Sequence, residues 1–442
     1  MASLILLLLT SSVSAAYPTS GFGRQCKNLT IPVTVSANLP QFKSPLFNTN
    51  LNGSAYALEM LTRNVSADLM TGFKTVSGTY NISASFCYPS AGISDAPVQI
   101  LTHGAGFDKV YWDFPHNNYN YSWVQTAVNT YGYNTLAIDR LGIGNSSHGD
   151  PLNEIQATLE LEALHQVTLA VRNNKLPGIN KAGGFKKVVH VGHSFGSVLS
   201  YALSAKYPES TDGVILTGYS TDFEGQQKFL ASWDVRPARL NQPFRFGSHS
   251  TGKGFKGDFL PAIQGYLKTL GIDFSSSELW NDIAETEVGN LIVGLNDTSG
   301  KPLNYPGGYL TWPALTNNIV AFLLPGYFDV GLAVYSEQTK QPTAIGELIT
   351  IASAPLSSPF TGPVLVLTGR QDLPFCNGDC LLPDGTTRLD GVKKQYPNVP
   401  ANKFRTVVHP NTGHGMTAHF NATGGYKVAN DFLKANALGA KL

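Results

Sequence analysis

The feature that most constrains the fold is a series of short apolar runs separated by helix-like stretches. The runs are rich in Val, Ile and Leu at consecutive positions, which is typical of strands buried on both faces of a parallel sheet. They lie at 97–101, 133–138, 187–191, 213–216, 363–367 and 404–408. Helix-like stretches lie between and after them at 153–172, 196–207 and 425–438. This repetition predicts an α/β chain whose mostly parallel sheet is covered by helices on both sides.

Two parts of the chain depart from this repetition. Residues 17–72 have little periodicity and many turn formers, so we expect an irregular arm with one strand near 29–35. The alternation of apolar and polar residues at 72–87 predicts antiparallel strands. The interval 223–360 is too long for a loop without structure of its own, and it holds seventeen aromatic residues between Phe223 and Tyr335. We predict a mainly helical cap there, between two parts of one core at 17–222 and 361–442.

Composition excludes several classes of protein. Lys and Arg number 31 and Asp and Glu 30, and only 14% of residues are charged, so a concentrated basic face for nucleic acid is not expected. Hydrophobic residues make up 42%, which is enough to bury a core and argues against disorder.

The first residues and the sequons predict a secreted glycoprotein. An apolar run at 4–9, followed by small residues up to Ala16, is typical of a signal peptide at 1–16. No later stretch has the ~20 apolar residues that span a bilayer. Eight Asn-x-Ser/Thr sites are candidates for glycosylation: Asn28, Asn52, Asn64, Asn81, Asn120, Asn145, Asn296 and Asn421.

The four cysteines predict two disulfides in an exported chain, for which three connectivities are possible. Cys376 and Cys380 lie in one short loop around a glycine, so a local bridge is plausible there, and Cys26 would then pair with Cys87. The alternative is a metal site, which is disfavoured because two thiols without neighbouring histidines make a poor zinc pocket. We predict no metal and no other cofactor.

A nucleophile is predicted at Ser194, in the sequence Gly-His-Ser-Phe-Gly at 192–196. The motif follows the run 187–191 directly and opens a helix. A serine at such a strand-to-helix corner is forced outward, and the flanking glycines remove side chains that would clash in the tight turn. The alternative is an ordinary helix-capping serine.

A base must take the proton of this serine, and His414 is the leading candidate. It lies on a loop between the last run and the last helix, so it is expected at the sheet edge where Ser194 emerges. His419 is the runner-up, and His409 lies at the strand end and is expected to be buried.

The base in turn needs a carboxylate to orient it, and Asp372 follows the run 363–367. Asp379 lies inside the cysteine loop, and Asp222 and Glu224 follow an earlier run, so these acids are expected to be structural or exposed.

Two backbone amides are predicted to form the oxyanion hole that the reaction needs. Phe195 follows the nucleophile and would supply one. The loop after 97–101 reads His-Gly-Ala-Gly, and Ala105 is expected to supply the other. A plain turn is the alternative for that loop.

Together these segments resemble the α/β-hydrolase superfamily, and more narrowly the secreted fungal members of esterase or lipase type. The resemblance covers roughly 73–222 and 361–438 and rests on five motifs: H-G-A-G at 103–106, D-R-L-G-I-G-N-S at 139–146, G-H-S-F-G at 192–196, G-R-Q-D at 369–372 and G-H-G at 413–415. It implies an eight-stranded sheet with a cap after the sixth strand, and ester hydrolysis through an acyl-enzyme. It also implies that Asp139 stabilises a loop near the site and lies outside the triad.

The sequence therefore predicts a serine hydrolase acting on esters of hydrophobic small molecules or lipids. Two alternatives stay open, because a fold does not determine a reaction. The same triad could transfer acyl groups or cleave a carbon–carbon bond, or the protein could be a non-catalytic ligand binder.

Overall fold

The computed structural model describes residues 20–21, 23–43, 47–62, 65–247, 289–290, 293 and 303–440. Its centre is a sheet of eight strands in the order β1-β2-β4-β3-β5-β6-β7-β8, with the two residues Ser20–Gly21 paired to the start of β1. The strands are β1 Arg24–Phe42, β2 Met70–Pro89, β3 Val98–Thr102, β4 Asn134–Ile138, β5 Val188–His193, β6 Gly213–Thr217, β7 Val364–Gln371 and β8 Phe404–Gly413.

Strands β3 to β8 are parallel, and β1 and β2 are antiparallel to their neighbours. Every residue of β3, β4, β5 and β6 is buried, because helices cover both faces of the sheet. The predicted α/β fold with a mostly parallel sheet is confirmed. The six apolar runs correspond to β3 through β8.

The helices have the following bounds: α1 Asn50–Thr62, α2 Val65–Leu69, α3 His116–Tyr119, α4 Trp123–Gln125, α5 Ala157–Arg172, α6 Phe195–Lys206, α7 Gln226–Trp233, α8 Ala238–Asn241, α9 Pro243–Phe246, α10 Leu315–Phe322, α11 Val330–Thr339, α12 Ile345–Thr350, α13 Leu373–Cys376 and α14 Ala422–Ala435. One face of the sheet packs on α5 and α6, and the other packs on α14. No helix among the described residues is long and apolar enough to cross a membrane.

The expectation of an irregular N-terminal arm was wrong for residues 24–42. This segment is one strand of 19 residues that pairs with β2 along its whole length. Its inward side chains alternate with polar outward ones, and Leu29, Ile31 and Val33 are buried. The period-two pattern was obscured by turn-forming residues such as Pro32 and Pro40, which this edge strand accommodates.

The segment 223–360 lies between β6 and β7, as the resemblance implied. Its described part contains α7 to α12 and a small antiparallel sheet of three short strands at Arg236–Pro237, Tyr309–Thr311 and Thr343–Ala344. We call the described part of 223–360 the cap. The rest of this segment lies outside the described residues, as does the predicted signal peptide.

Candidate active site

Ser194 stands at a sharp corner between β5 and α6. Its φ is +53° and its ψ is −119°, a backbone conformation that is costly for a residue with a side chain. The turn is so tight that a β-carbon at Gly192 would lie 2.3 Å from the carbonyl oxygen of Gly196. The corner is held by a hydrogen bond of 2.9 Å from the Ser194 amide to the Thr217 carbonyl. A strained serine kept in place by its surroundings is the arrangement expected of a nucleophile elbow.

His414 and Asp372 are brought together by the parallel pairing of β7 and β8. Asp372 follows β7, His414 follows β8, and both side chains are fully buried. The Nδ1 atom of His414 lies 2.6 Å from Oδ2 of Asp372. The other oxygen, Oδ1, accepts a hydrogen bond of 2.8 Å from the amide of Phe375. The carboxylate is therefore oriented from both sides, and it favours a proton on Nδ1.

This arrangement leaves Nε2 of His414 available as a proton acceptor. Nε2 is buried and makes no hydrogen bond to any described residue, Ser194 included. His193, the residue before Ser194, has its ring centroid 4.8 Å from that of His414, so the corner that carries the serine adjoins the histidine. Ser194 itself is 9% exposed.

The predicted oxyanion loop lies against the serine. A β-carbon at Gly104 would be only 2.8 Å from the β-carbon of Ser194. On the other side of the serine, the amide of Phe195 is the first of α6, where a helix has amides without intrahelical partners. The loop that carries Ala105 and the start of α6 therefore both adjoin the serine.

His103 anchors this loop to the core. Its Nε2 accepts a hydrogen bond of 3.0 Å from the amide of Arg140, so its Nδ1 carries the proton that is donated to the Gly104 carbonyl at 2.8 Å. Burial, together with the nearby positive charge of Arg140, lowers the pKa of His103 well below its usual value. His103 is thus a neutral residue that shapes the loop.

The runner-up base, His419, has a different environment. Its Nε2 accepts hydrogen bonds from the amides of Leu324 (2.9 Å) and Gly413 (3.0 Å), and its Nδ1 donates to the Gly415 carbonyl. Burial lowers its pKa to about 4. All of its hydrogen-bonding capacity holds the loop around His414. His409 is also buried and bonds to the carbonyl of Asn421.

The remaining acids are held by arginines. Asp222 and Glu224 both pair with Arg388, and Asp379 lies 3.4 Å from Arg370. None of these ion pairs includes His414 or Ser194.

Asp139 stabilises a neighbouring loop, as the resemblance implied. It accepts hydrogen bonds from the amide of Lys109 (3.0 Å) and the amide of Asn145 (3.1 Å), and its Oδ2 pairs with the Lys109 ammonium at 2.6 Å.

A model of the alpha/beta hydrolase family matches residues 99–422, which is most of the chain. The chain belongs to the α/β-hydrolase family. Among curated proteins, none matches the sequence.

Several solved structures are similar to this α/β-hydrolase at low identity. A thermophilic esterase from Thermogutta terrifontis is 12% identical, with 81% of this chain and 95% of that chain covered and a TM-score of 0.40. A membrane phospholipase A described as a bacterial virulence factor is 14% identical, with coverages of 80% and 84% and a TM-score of 0.42. Epoxide hydrolase VrEH1 from Vigna radiata is 13% identical, with coverages of 80% and 94% and a TM-score of 0.41.

In this α/β-hydrolase, aromatic side chains enclose the histidine. The ring centroids of Phe322 and Phe229, both from the cap, lie 5.7 and 6.0 Å from that of His414. Phe375, which follows Asp372 in the core, lies at 5.8 Å. The abundance of aromatics in 223–360 signalled an apolar site, but the individual contacts depend on how the cap packs and were not predicted.

A buried charge cluster that sequence reasoning missed joins the cap to the core. Nη1 of Arg140 bonds to Glu160 of α5 at 2.6 Å and also to Glu347 of α12. The guanidinium carbon lies 4.6 Å from the ring centroid of Phe195. Burial raises the pKa of Glu160 well above its usual range, which favours a proton on this carboxyl group.

The cysteines form two disulfides, Cys26–Cys87 between β1 and β2, and Cys376–Cys380 behind Asp372. Free thiols for the alternative metal site are therefore lacking in this structure.

The described sequons differ in exposure. Asn28, Asn81, Asn120 and Asn145 are exposed, whereas Asn52 and Asn421 are half-buried. The other two sequons, at Asn64 and Asn296, lie outside the described residues.

Proposed function

We propose that this α/β-hydrolase is a serine enzyme that cleaves carboxylic esters of hydrophobic small molecules or lipids. The observation that carries the proposal is the pair of His414 and Asp372, 2.6 Å apart, beside the corner that holds Ser194 at a positive φ. The Asp372 carboxylate keeps the proton on Nδ1 and leaves Nε2 able to accept one. This is the state that a general base requires before it activates an alcohol.

In the proposed reaction, His414 removes the proton of Ser194 as the serine oxygen attacks the ester carbonyl. The amides of Ala105 and Phe195 stabilise the negative charge on the tetrahedral oxygen, each contributing on the order of 3 kcal/mol to lowering the barrier. The histidine then donates the proton to the leaving alcohol. In the second half, the same histidine activates water, which releases the acid from the acyl-serine.

The enclosure around the histidine supports an apolar substrate. Phe229, Phe322 and Phe375 present aromatic surface to His414, and such surface favours apolar groups over charged ones. An ester with an aliphatic or aromatic acyl group meets this requirement.

We further propose that the protein is secreted and carries N-linked glycans. Two disulfides and the exposed positions of Asn28, Asn81, Asn120 and Asn145 support this proposal. Mass spectrometry of secreted protein before and after endoglycosidase treatment tests it, and unmodified asparagines at all four sites would contradict the glycan part.

The enzyme is tested with nitrophenyl esters of graded chain length and a fluorophosphonate probe. We expect Ser194-dependent turnover and labelling, both lost in Ser194→Ala. Ser200→Ala is the matched control, because it removes a serine hydroxyl from α6, the helix that follows Ser194. That hydroxyl donates a hydrogen bond of 2.9 Å to the Gly196 carbonyl. Folded wild-type protein that neither labels nor turns over esters would refute the proposal. Turnover of a diketone with no ester hydrolysis would refute the substrate class.

A further inference from the structure

The loop that carries the proposed oxyanion donor Ala105 is fixed to the core at its two ends. At the start, His103 bonds to the amide of Arg140 at 3.0 Å. At the end, the amide of Lys109 bonds to the carboxylate of Asp139 at 3.0 Å. Both bonds lie outside the stretch 104–108. The core thus determines where the loop begins and ends, and other contacts determine the path of its middle.

The middle of the loop is held by one residue of the cap, Gln341. Its backbone amide donates to the Gly106 carbonyl at 2.8 Å, and its side-chain Nε2 donates to Oδ2 of Asp108 at 2.9 Å. Gln341 is 4% exposed, so both bonds are shielded from water. The other oxygen of Asp108 caps the 3₁₀ turn that follows, by accepting from the amide of Val110 at 2.8 Å. Gln341 therefore bonds to the loop at two places, one on each side of Phe107.

Trp312, also from the cap, lies against the same loop. Gly106 has a φ of +82°, and a β-carbon there would lie 2.2 Å from the Trp312 ring. The ring is held by a bond of 2.5 Å from its Nε1 to Glu337, whose other oxygen pairs with Lys340 at 2.5 Å. The end of α11 and the residues just after it thus hold both Trp312 and Gln341 against the loop.

These contacts matter because Gly106 follows Ala105 directly. A glycine has more backbone conformations open to it than any other residue, so a loop with glycine on both sides of the donor does not hold one shape by itself. An oxyanion donor is effective only when it is aimed in advance at the place where charge develops. Contacts that restrict the neighbouring peptide units therefore bear on catalysis.

We propose that Gln341 is a positioning residue for the oxyanion hole, which acts through Gly106 and Asp108 to hold the amide of Ala105 toward the Ser194 site. The inference rests on the proposed function. It implies that the hole is fully formed only when the cap is seated on the core, so that substrate binding under the cap and transition-state stabilisation are coupled.

The test is Gln341→Met, which keeps the length and volume of the side chain but removes its donor. The backbone bond to Gly106 remains, so the loss is smaller than that of a whole oxyanion donor, and we expect kcat to fall roughly 10-fold. KM should stay within about twofold, because the ground-state ester makes little use of the hole. Gln338→Met, the same exchange in α11, is the control and should retain the wild-type kcat.

Two further measurements separate positioning from folding. Fluorophosphonate titration counts intact sites, so that kcat is expressed per site. Affinity for a trifluoromethyl ketone, which forms an oxyanion on Ser194, should fall by the same factor as kcat/KM. If Gln341→Met does not fold, Asp108→Ala removes the same bond from the opposite side together with the cap on the amide of Val110, so kcat per site and ketone affinity should fall by at least the same factor.

Unchanged kcat per site and unchanged ketone affinity in the folded variant would overturn the inference. A lower number of titratable sites with a normal kcat per site would do the same, because it would show a structural role only. These results presuppose Ser194-dependent turnover by the wild-type enzyme. If wild-type protein has none, the proposed function itself fails and the inference falls with it.

Discussion

Replacing Asp372 with asparagine tests the proposed triad at its most constrained contact. One oxygen of Asp372 accepts from the amide of Phe375 and the other faces Nδ1 of His414. In Asp372→Asn the amide of Phe375 still needs an acceptor, so the new carbonyl oxygen stays on that side. The NH2 group then points at Nδ1, which must become an acceptor. The proton of His414 moves to Nε2, the atom that has to receive the proton of Ser194.

The expected decrease in kcat follows from this exchange of tautomers. A histidine with its proton on the wrong nitrogen cannot act as the base, and the cost is about 10,000-fold in kcat. That factor corresponds to about 5.5 kcal/mol in barrier height. The carboxylate and the amide have nearly the same shape, and the bond to Phe375 is kept, so we expect a small change in the free energy of unfolding. KM should change little.

The assay is ester turnover per site, with sites counted before the reaction by mass spectrometry of the intact protein. Asp379→Asn is the matched control, because it makes the same exchange in the same loop at a half-exposed residue whose partner is Arg370. We expect it to retain at least half of the wild-type kcat. If Asp372→Asn keeps more than about a tenth of the wild-type kcat, His414 is not oriented by Asp372 in the way proposed.

Two further predictions concern stability and are measured by urea unfolding. Arg140→Met leaves the buried carboxyl groups of Glu160 and Glu347 without their cation and should lower the free energy of unfolding by about 3–5 kcal/mol. Glu160→Gln keeps Glu347 as a partner for the guanidinium and should cost less than Arg140→Met, so equal losses in the two variants would contradict this account of the cluster. Because the pKa of His419 is lowered from 6.5 to about 4, the unfolded chain binds its proton first as pH falls, so stability should be lost between these values by at most about 3 kcal/mol. His419→Gln should flatten the fall in stability over that range, and an unchanged slope would refute this role for His419.

Much of the fold could be predicted because its signals are local. Six apolar runs are strands of the parallel sheet, and the corner at Ser194 follows β5 as expected. Strands buried on both faces need consecutive apolar residues, and this requirement is visible in any short window of sequence. The long strand β1 was not predicted, because its alternation is interrupted by prolines that only an edge strand accepts.

The candidate site could be predicted from the sequence only in part. The chain order of Ser194, Asp372 and His414, and their places after β5, β7 and β8, follow from motifs and from the rule that parallel strands end at one edge. Their catalytic roles stay predictions until the variants are measured. Sequence reasoning found neither the Arg140 cluster nor Gln341, since each joins residues about 200 positions apart.

The sequence by itself determined the class of fold, the position of the serine corner and the chemistry that its motifs favour. Only the tertiary structure decided which aromatic rings face His414 and which cap residue lies on the loop of Ala105. The physical reason is the distance along the chain over which each effect acts. Hydrophobic periodicity and turn chemistry depend on a few neighbouring residues, whereas the position of the cap on the core depends on buried contacts between segments that are far apart along the chain.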